Sequence, residues 1–226
     1  KFTNLNCIEV DDTASTFGDI RLAQANERFF KAAFGSNDIL GIGFPAGMGS
    51  LIDTDSNSDI NGDIFLASYS DTQYASQGSL INYIVMHEIG HALSLAHPFH
   101  ASIMNPEFVF GSDSDQGSTE RDSTIFTVMS YGFNSNNNGG MNESDPSSST
   151  FMVDDVRALQ HLYGIDKSFS AGNNIYDYSM FSSDNSGFIR SIYDYSGTDT
   201  IDFSNQLFQT RGTLNTNDYL FIDGNQ

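Results

Sequence analysis

His87-Glu88-Ile89-Gly90-His91-Ala92-Leu93-Ser94-Leu95-Ala96-His97 is the stretch from which the rest of the chain is best read. Two histidines four apart lie about 40° from each other on a helix of ~3.6 residues per turn, so both imidazoles reach one metal ion from one face. Glu88 projects beside them, where a carboxylate can take a proton from a zinc-coordinated water whose pKa falls from ~15.7 toward roughly 7. On an unbroken helix His97 would point about 80° away from His87. The helix must therefore stop, with a chain reversal near Ser94 returning His97 to the metal, and Pro98 cannot continue a helix. Three nitrogen ligands with a fourth position open are the coordination of a catalytic zinc, not a structural one. With His 5 in 226 residues, the glutamate and all three spaced histidines arise by chance in only a few chains per hundred thousand. That rarity sets aside the reading in which these are ordinary histidines on an amphipathic helix.

A chain of 226 residues holds one good core plus a small appendage. Asp+Glu 29 against Lys+Arg 9 gives a net charge of -20, which repels phosphate backbones and anionic membranes, so nucleic acid is excluded as a partner. No apolar run approaches the ~18 residues of a membrane span. So many carboxylates suit calcium, a hard cation that prefers oxygen ligands. Cys7, the only cysteine, can form no intrachain disulfide and is expected to be a small buried apolar group. The chain starts at Lys1 without a signal-peptide pattern, as expected of a processed or excised segment.

Short β-type runs, Asp19 to Ala23, Ile39 to Phe44 and Asp63 to Tyr69, are each bounded by turn residues and read as strands of one sheet. Asn26 to Phe34 is a short helix or a packed loop. Leu80, Ile81, Ile84, Val85, Ile89, Ala92 and Leu95 keep helical spacing, which places the histidine pair in the C-terminal half of a long helix. The stretch Pro98 to Ser149 is loop-like apart from Ile125 to Met129, and a loop of that length needs a function or a metal to order it. Val153, Val156, Leu159, Leu162 and Tyr163 mark a second helix that stops at Gly164 and packs under the site. Beyond Ile165 the texture changes to short strands with Asp, Asn and Gly turns, as in Asn174 to Tyr178 and Asp199 to Phe203.

The eleven-residue run resembles that of the metzincin metalloproteases, and Thr127-Val128-Met129-Ser130-Tyr131 is similar to their methionine turn followed by a tyrosine. Within the metzincins, His97-Pro98 and the Met-Ser-Tyr form resemble the serralysins, secreted bacterial proteases. Asp154 to Gly164 is similar to the helix after their active site, and Ile192 to Ser204 resembles the entry to their calcium-binding β-roll. The fold this implies is α+β. A metzincin-like zinc protease domain over 1–165, a twisted sheet with an active-site helix and a second helix, would precede a short, truncated or degenerate roll-like part over 166–226.

The resemblance implies zinc bound by His87, His91 and His97, with Glu88 activating the water. Tyr131 would be a further ligand that exchanges the metal for a hydrogen bond to the developing oxyanion, and Met129 an apolar floor beneath the histidines. It matches the strand holding Ile64, Phe65, Leu66 and Ala67 to the family's edge strand, which borders the cleft and pairs with extended substrate. The loop Gly132 to Met141 would shape a pocket. Calcium ligands map onto the backbone oxygens of Ser170, Gly172, Asn174 and Ser196 and the side chains of Asp194 and Asp199. Also implied are secretion, protein or peptide substrates, a proteinaceous inhibitor as a partner, and a monomer.

Three departures stand out. Ser94 occupies a position where the family has glycine, at about 1 to 2 kcal/mol for left-handed geometry. The family's first strand and long helix have no counterpart before Lys1, and complete Gly-Gly-x-Gly-x-Asp repeats are absent. His100 is read as solvated, and His161 as a surface or structural residue. The function expected is a secreted zinc endopeptidase. Its alternatives are a calcium-dependent binding or adhesive module with a non-catalytic zinc site, and a matrixin-like or astacin-like protease; the intact base and tyrosine argue against the first, the tyrosine and roll-like tail against the second.

Overall fold

The computed structural model describes residues 2–11, 13, 18–45, 60–68, 79–98, 122–132, 147–177, 189–204, 210–212 and 220–222. Along the chain they form β1 (Leu22–Ala25), α1 (Glu27–Phe34), β2 (Gly41–Gly43), β3 (Ile64–Ala67), α2 (Leu80–Ala92), α3 (Val153–Tyr163), β4 (Ile175–Asp177), β5 (Thr200–Asp202), β6 (Thr210–Gly212) and β7 (Leu220–Ile222). The first three strands share one sheet in the order β1-β3-β2, with β1 parallel and β2 antiparallel to β3. Asn26 starts α1 by accepting the Phe29 N–H at 3.1 Å, and Gly35 ends it at φ 78. Phe29 on this helix packs against Phe65 of β3, and Phe34 against Phe44 just after β2; Asn26 to Phe34 is thus a capped helix and not a loop.

The sheet order overturns one expectation. Ile64, Phe65, Leu66 and Ala67 lie on the middle strand, with one hydrogen-bonding edge taken by β1 and the other by β2. Ile64, Leu66 and Ala67 are also buried. A strand so enclosed has no free donors or acceptors for a peptide. Its unbroken apolar sequence is the pattern of a covered strand, whereas Gly41-Ile42-Gly43 forms the edge beside the site among the described residues.

Helix α2 starts at Ser79, whose side chain accepts the Asn82 N–H at 3.1 Å. Its Tyr83, Ile84 and Ala92 join Ile64, Leu66, Leu95, Val128, Met129, Met152 and Leu159 in one core, where burying each large aliphatic side chain stabilises by roughly 1.5–3 kcal/mol. In α3 the Asp155 carboxylate reaches back to the Met152 N–H at 2.8 Å, satisfying an orphan donor at the helix start. Val156 and Leu159 face the core, but Leu162 is 42% exposed. Leu162 therefore does not share their buried face.

The N-terminal residues close the other end of α3. Phe2 sits edge-on to both Phe151 and Tyr193, and the Asn4 N–H donates to the Gly164 oxygen. This packing joins residues on both sides of position 165. Cys7 is exposed, not buried, because it lies in an extended stretch, 6–10, that is exposed throughout. Further on, β4 pairs with β5 in parallel, β6 pairs with β7 antiparallel, and an isolated bridge joins Ala171 to Ser196. No described helix is long and apolar enough to cross a membrane.

Candidate metal centre and active site

The reversal after α2 is a Schellman turn. The Ser94 N–H donates to the His91 oxygen at 2.8 Å and the Leu95 N–H to the Gly90 oxygen at 2.9 Å, with Ser94 in left-handed conformation at φ 69. This turn brings His97 back over the helix. Its Nε2 lies 3.0 Å from His87 Nε2 and 3.1 Å from His91 Nε2. His87 Nδ1 donates to the Val128 oxygen at 2.7 Å and His91 Nδ1 to the Leu95 oxygen at 3.0 Å, which leaves the lone pair of each ring on Nε2. Burial, reinforced by the neighbouring His91, pushes His87 down to about 3, so its ring is neutral, the form that binds metal.

Two lone pairs facing a third ring nitrogen at these distances call for a proton or a cation among them. Zinc at ~2.0–2.1 Å from each of three tetrahedral nitrogens holds them ~3.3 Å apart, a small expansion from these distances. The residues fit the ion.

Glu88 is buried and its carboxylate accepts the Gly43 N–H. Burial pushes it up to about 8, while the Gly43 donor opposes that rise. A cation among the histidines acts in the same direction as the donor. The closeness of β2 depends on its glycines. A Cβ on Gly43 would come 2.3 Å from the Glu88 backbone oxygen, and one on Gly41 would come 2.9 Å from the Glu88 side chain. Neither glycine is singled out by sequence reasoning, although two glycines two apart in a strand share one side and signal a close approach.

Met129 is buried beneath α2, where a Cβ on Gly90 would meet its Sδ at 2.4 Å. The Tyr131 ring stacks on His87 with centroids 5.4 Å apart and lies 4.7 Å from His97. Three further polar groups, given no role by any motif, brace this turn. Tyr83 donates its hydroxyl to the Ser130 oxygen, and Ser130 Oγ donates to buried Asp122 at 2.5 Å. Burial, with nearby negative charge, holds the Tyr83 phenol well above its usual range. Asp155 accepts from Thr127 Oγ1 at 2.6 Å and from the Val128 N–H at 2.8 Å; burial pushes it up to about 7 against these donors. His161 is exposed, while His100 and residues 133–141 of the loop after Tyr131 lie outside the described residues.

The six residues expected at calcium also come together. The Asn174 side-chain amide donates to the Ser170 and Gly172 oxygens at 3.1 and 2.9 Å and to Asp194 Oδ2 at 3.2 Å. Asp199 Oδ1 accepts the Asn174 N–H, and the Ser196 oxygen accepts the Gly172 N–H. One detail differs from expectation. The Asn174 backbone oxygen accepts the Thr200 N–H, and it is the side-chain amide that lies among the other oxygens.

A family model described as Met-zincin matches residues 70–155. The chain is 32% identical over 151 residues to serralysin C of Dickeya chrysanthemi, a match covering 61% of this chain and 29% of that protein. It is 32% identical over 149 residues to metallopeptidase AprA of Pseudomonas marginalis, covering 61% and 30%, and 28% identical over 169 residues to metalloprotease AprA of Pseudomonas entomophila, covering 70% and 33%. The matches thus span about a third or less of the length of these relatives. With the Met-zincin match running across the converging histidines and the serralysin likeness extending well beyond it, the chain is similar to the serralysin-type metzincins.

Proposed function

We propose that this chain carries the peptidase activity of a secreted zinc endopeptidase that hydrolyses protein or peptide substrates. One observation carries the reading: a buried carboxylate, Glu88, stands next in sequence to the first of three histidines whose Nε2 atoms converge. A purely structural zinc site needs no such base. Bound by His87, His91 and His97, zinc supplies Lewis-acid polarisation of a carbonyl and a coordinated water of pKa near roughly 7. Glu88 takes the proton of the attacking water and returns it to the leaving amine, work worth about 10²–10⁴ in rate. The Gly43 N–H orients its carboxylate. Tyr131, stacked on His87, donates its phenol to the oxyanion, and Met129 keeps the ligand-bearing helix seated.

The extended substrate pairs with β2. The Leu40 oxygen and the backbone of Phe44 bond toward β3, so by alternation Gly41 turns its N–H and carbonyl outward and Gly43 its carbonyl, the Gly43 N–H being held by Glu88. Recognition through main-chain bonds gives broad specificity. The roll-like part, 166–226, binds calcium through Ser170, Gly172, Asn174, Asp194, Ser196 and Asp199 after the Asn174 amide swings away from the shared oxygens. The test of the peptidase reading is cleavage of unfolded casein by the zinc-loaded chain. A chelator abolishes it, and Glu88→Ala abolishes it while zinc stays bound. Near-normal turnover in Glu88→Ala sinks the mechanism.

A further inference from the structure

Resting on that reading of the zinc site, we propose that Thr127 and Asp155 act as an indirect carboxylate partner of the His87 ligand, joined to it through the Val128–Met129 peptide. His87 Nδ1–H donates to the Val128 oxygen at 2.7 Å. The N–H at the other end of the same peptide, that of Met129, donates to Thr127 Oγ1 at 3.0 Å. Thr127 in turn donates its hydroxyl proton to Asp155 Oδ1 at 2.6 Å. All three links run in one direction, from the ring to the carboxylate.

Direction matters because aligned hydrogen bonds polarise one another, and a carboxylate at the end, ionised at the mildly alkaline pH of the test below, draws density from the far N–H. A metal-bound histidine commonly gives its second N–H to a carboxylate, which fixes the ring and raises its basicity. Here a peptide and a hydroxyl lie between the two. The path is dry: Thr127, Val128, Met129 and Asp155 are 6%, 0%, 1% and 2% exposed. Asp155 Oδ2 is occupied separately, by the Val128 and Met152 N–H groups. Removing the Thr127 hydroxyl therefore breaks the path while leaving the hold of Asp155 on α3 and the turn in place. Thr127 and Asp155 are positioning residues, since neither touches the reacting atoms.

The experiment compares, at pH 8, the intact chain with Thr127→Val, Thr127→Ser and Asp155→Asn by zinc titration against a chromophoric chelator, NMR of the His87 Nδ1 proton and thermal melting. Thr127→Val should weaken zinc binding about 10-fold or more and move the His87 proton upfield. Thr127→Ser, which restores the hydroxyl, should stay within about threefold of the parent. Asp155→Asn keeps the shape but turns a donor on Thr127 Oγ1, so it should weaken zinc as Thr127→Val does. A merely structural role lowers the melting temperature but leaves the affinity of the folded protein and the His87 resonance unchanged; that pattern in Asp155→Asn and Thr127→Val overturns the inference. If Thr127→Val fails to fold, Asp155→Asn decides, with Thr127→Ser as its control. A parent chain that binds zinc yet cleaves nothing would count against the peptidase reading alone, because the titration does not depend on turnover.

Discussion

Ser94 holds a left-handed conformation that a glycine would adopt freely, and His97 reaches the other two histidines only through it. The need for that reversal is legible in the spacing of the three histidines, because no single helix lets all three meet. Substitution tests the point. Ser94→Gly should keep zinc affinity, while Ser94→Val, a β-branched side chain at positive φ, should cost about 1–2 kcal/mol and lower the melting temperature by roughly 2–8 °C. Melts with and without zinc measure both; an unimpaired Ser94→Val would show that the turn tolerates the strain. Asp155 was not legible as a special residue. Beside Asp154 it reads as half of an acidic first turn, and only packing against Thr127 and Val128 sets it apart. Its folded pKa of about 7 lies above the unfolded value, so between about pH 4 and 7 the folded state binds more protons than the unfolded chain. Stability from this group therefore falls as pH rises through that window, with the Asp154 charge pushing the same way. Urea midpoints of the zinc-free chain and Asp155→Asn at pH 5 and 8 should show a difference that shifts against the parent at the higher pH. The histidines, present in both proteins, largely cancel in that difference.

The elements themselves could be read from the chain, but not their neighbours. Periodicity finds β2 to β5, α2 and α3, because each needs only local spacing, whereas the first strand, expected at Asp19 to Ala23, is Leu22–Ala25, and β6 and β7 are not read from the sequence. Strand order depends on pairing, and Ile64 to Ala67 looked like the substrate edge because resemblance supplied a strand near the site without a register. The run Gly41-Ile42-Gly43 carries too few side chains to stand out, yet the missing side chains are what admit the strand beside Glu88. Gly43→Ala tests this. Its Cβ would meet a backbone oxygen at 2.3 Å, so β2 must lift from α2 at about 1–3 kcal/mol, and the Gly43 N–H would leave the Glu88 carboxylate. Casein turnover should fall at least about tenfold with zinc still bound, since no ligand moves. Unchanged turnover with a lowered melting temperature would mean that β2 supports the fold and not the base.

At the scale of the molecule the dominating fact is a net charge of -20, which repels itself in the compact state. Any added salt should raise the melting temperature by screening, since the Debye length shrinks from ~30 Å at 0.01 M to ~10 Å at 0.1 M. Calcium at a defined site should do more than an equal ionic strength of sodium chloride, because binding only to the folded state stabilises in proportion to RT ln(1 + [L]/Kd). The oxygens of Ser170, Gly172 and Asp194 already converge on the Asn174 amide, so a cation must displace that amide before it gains ligands. That exchange sets a modest affinity, and the increment should grow through the ~0.1–1 mM range of extracellular calcium modules. Replacing Asp194 and Asp199 together by Asn should remove the calcium increment and leave the sodium chloride effect intact. Equal melting curves in calcium and in matched sodium chloride for the parent chain would reduce the cluster to a hydrogen-bonded turn closed by Asn174.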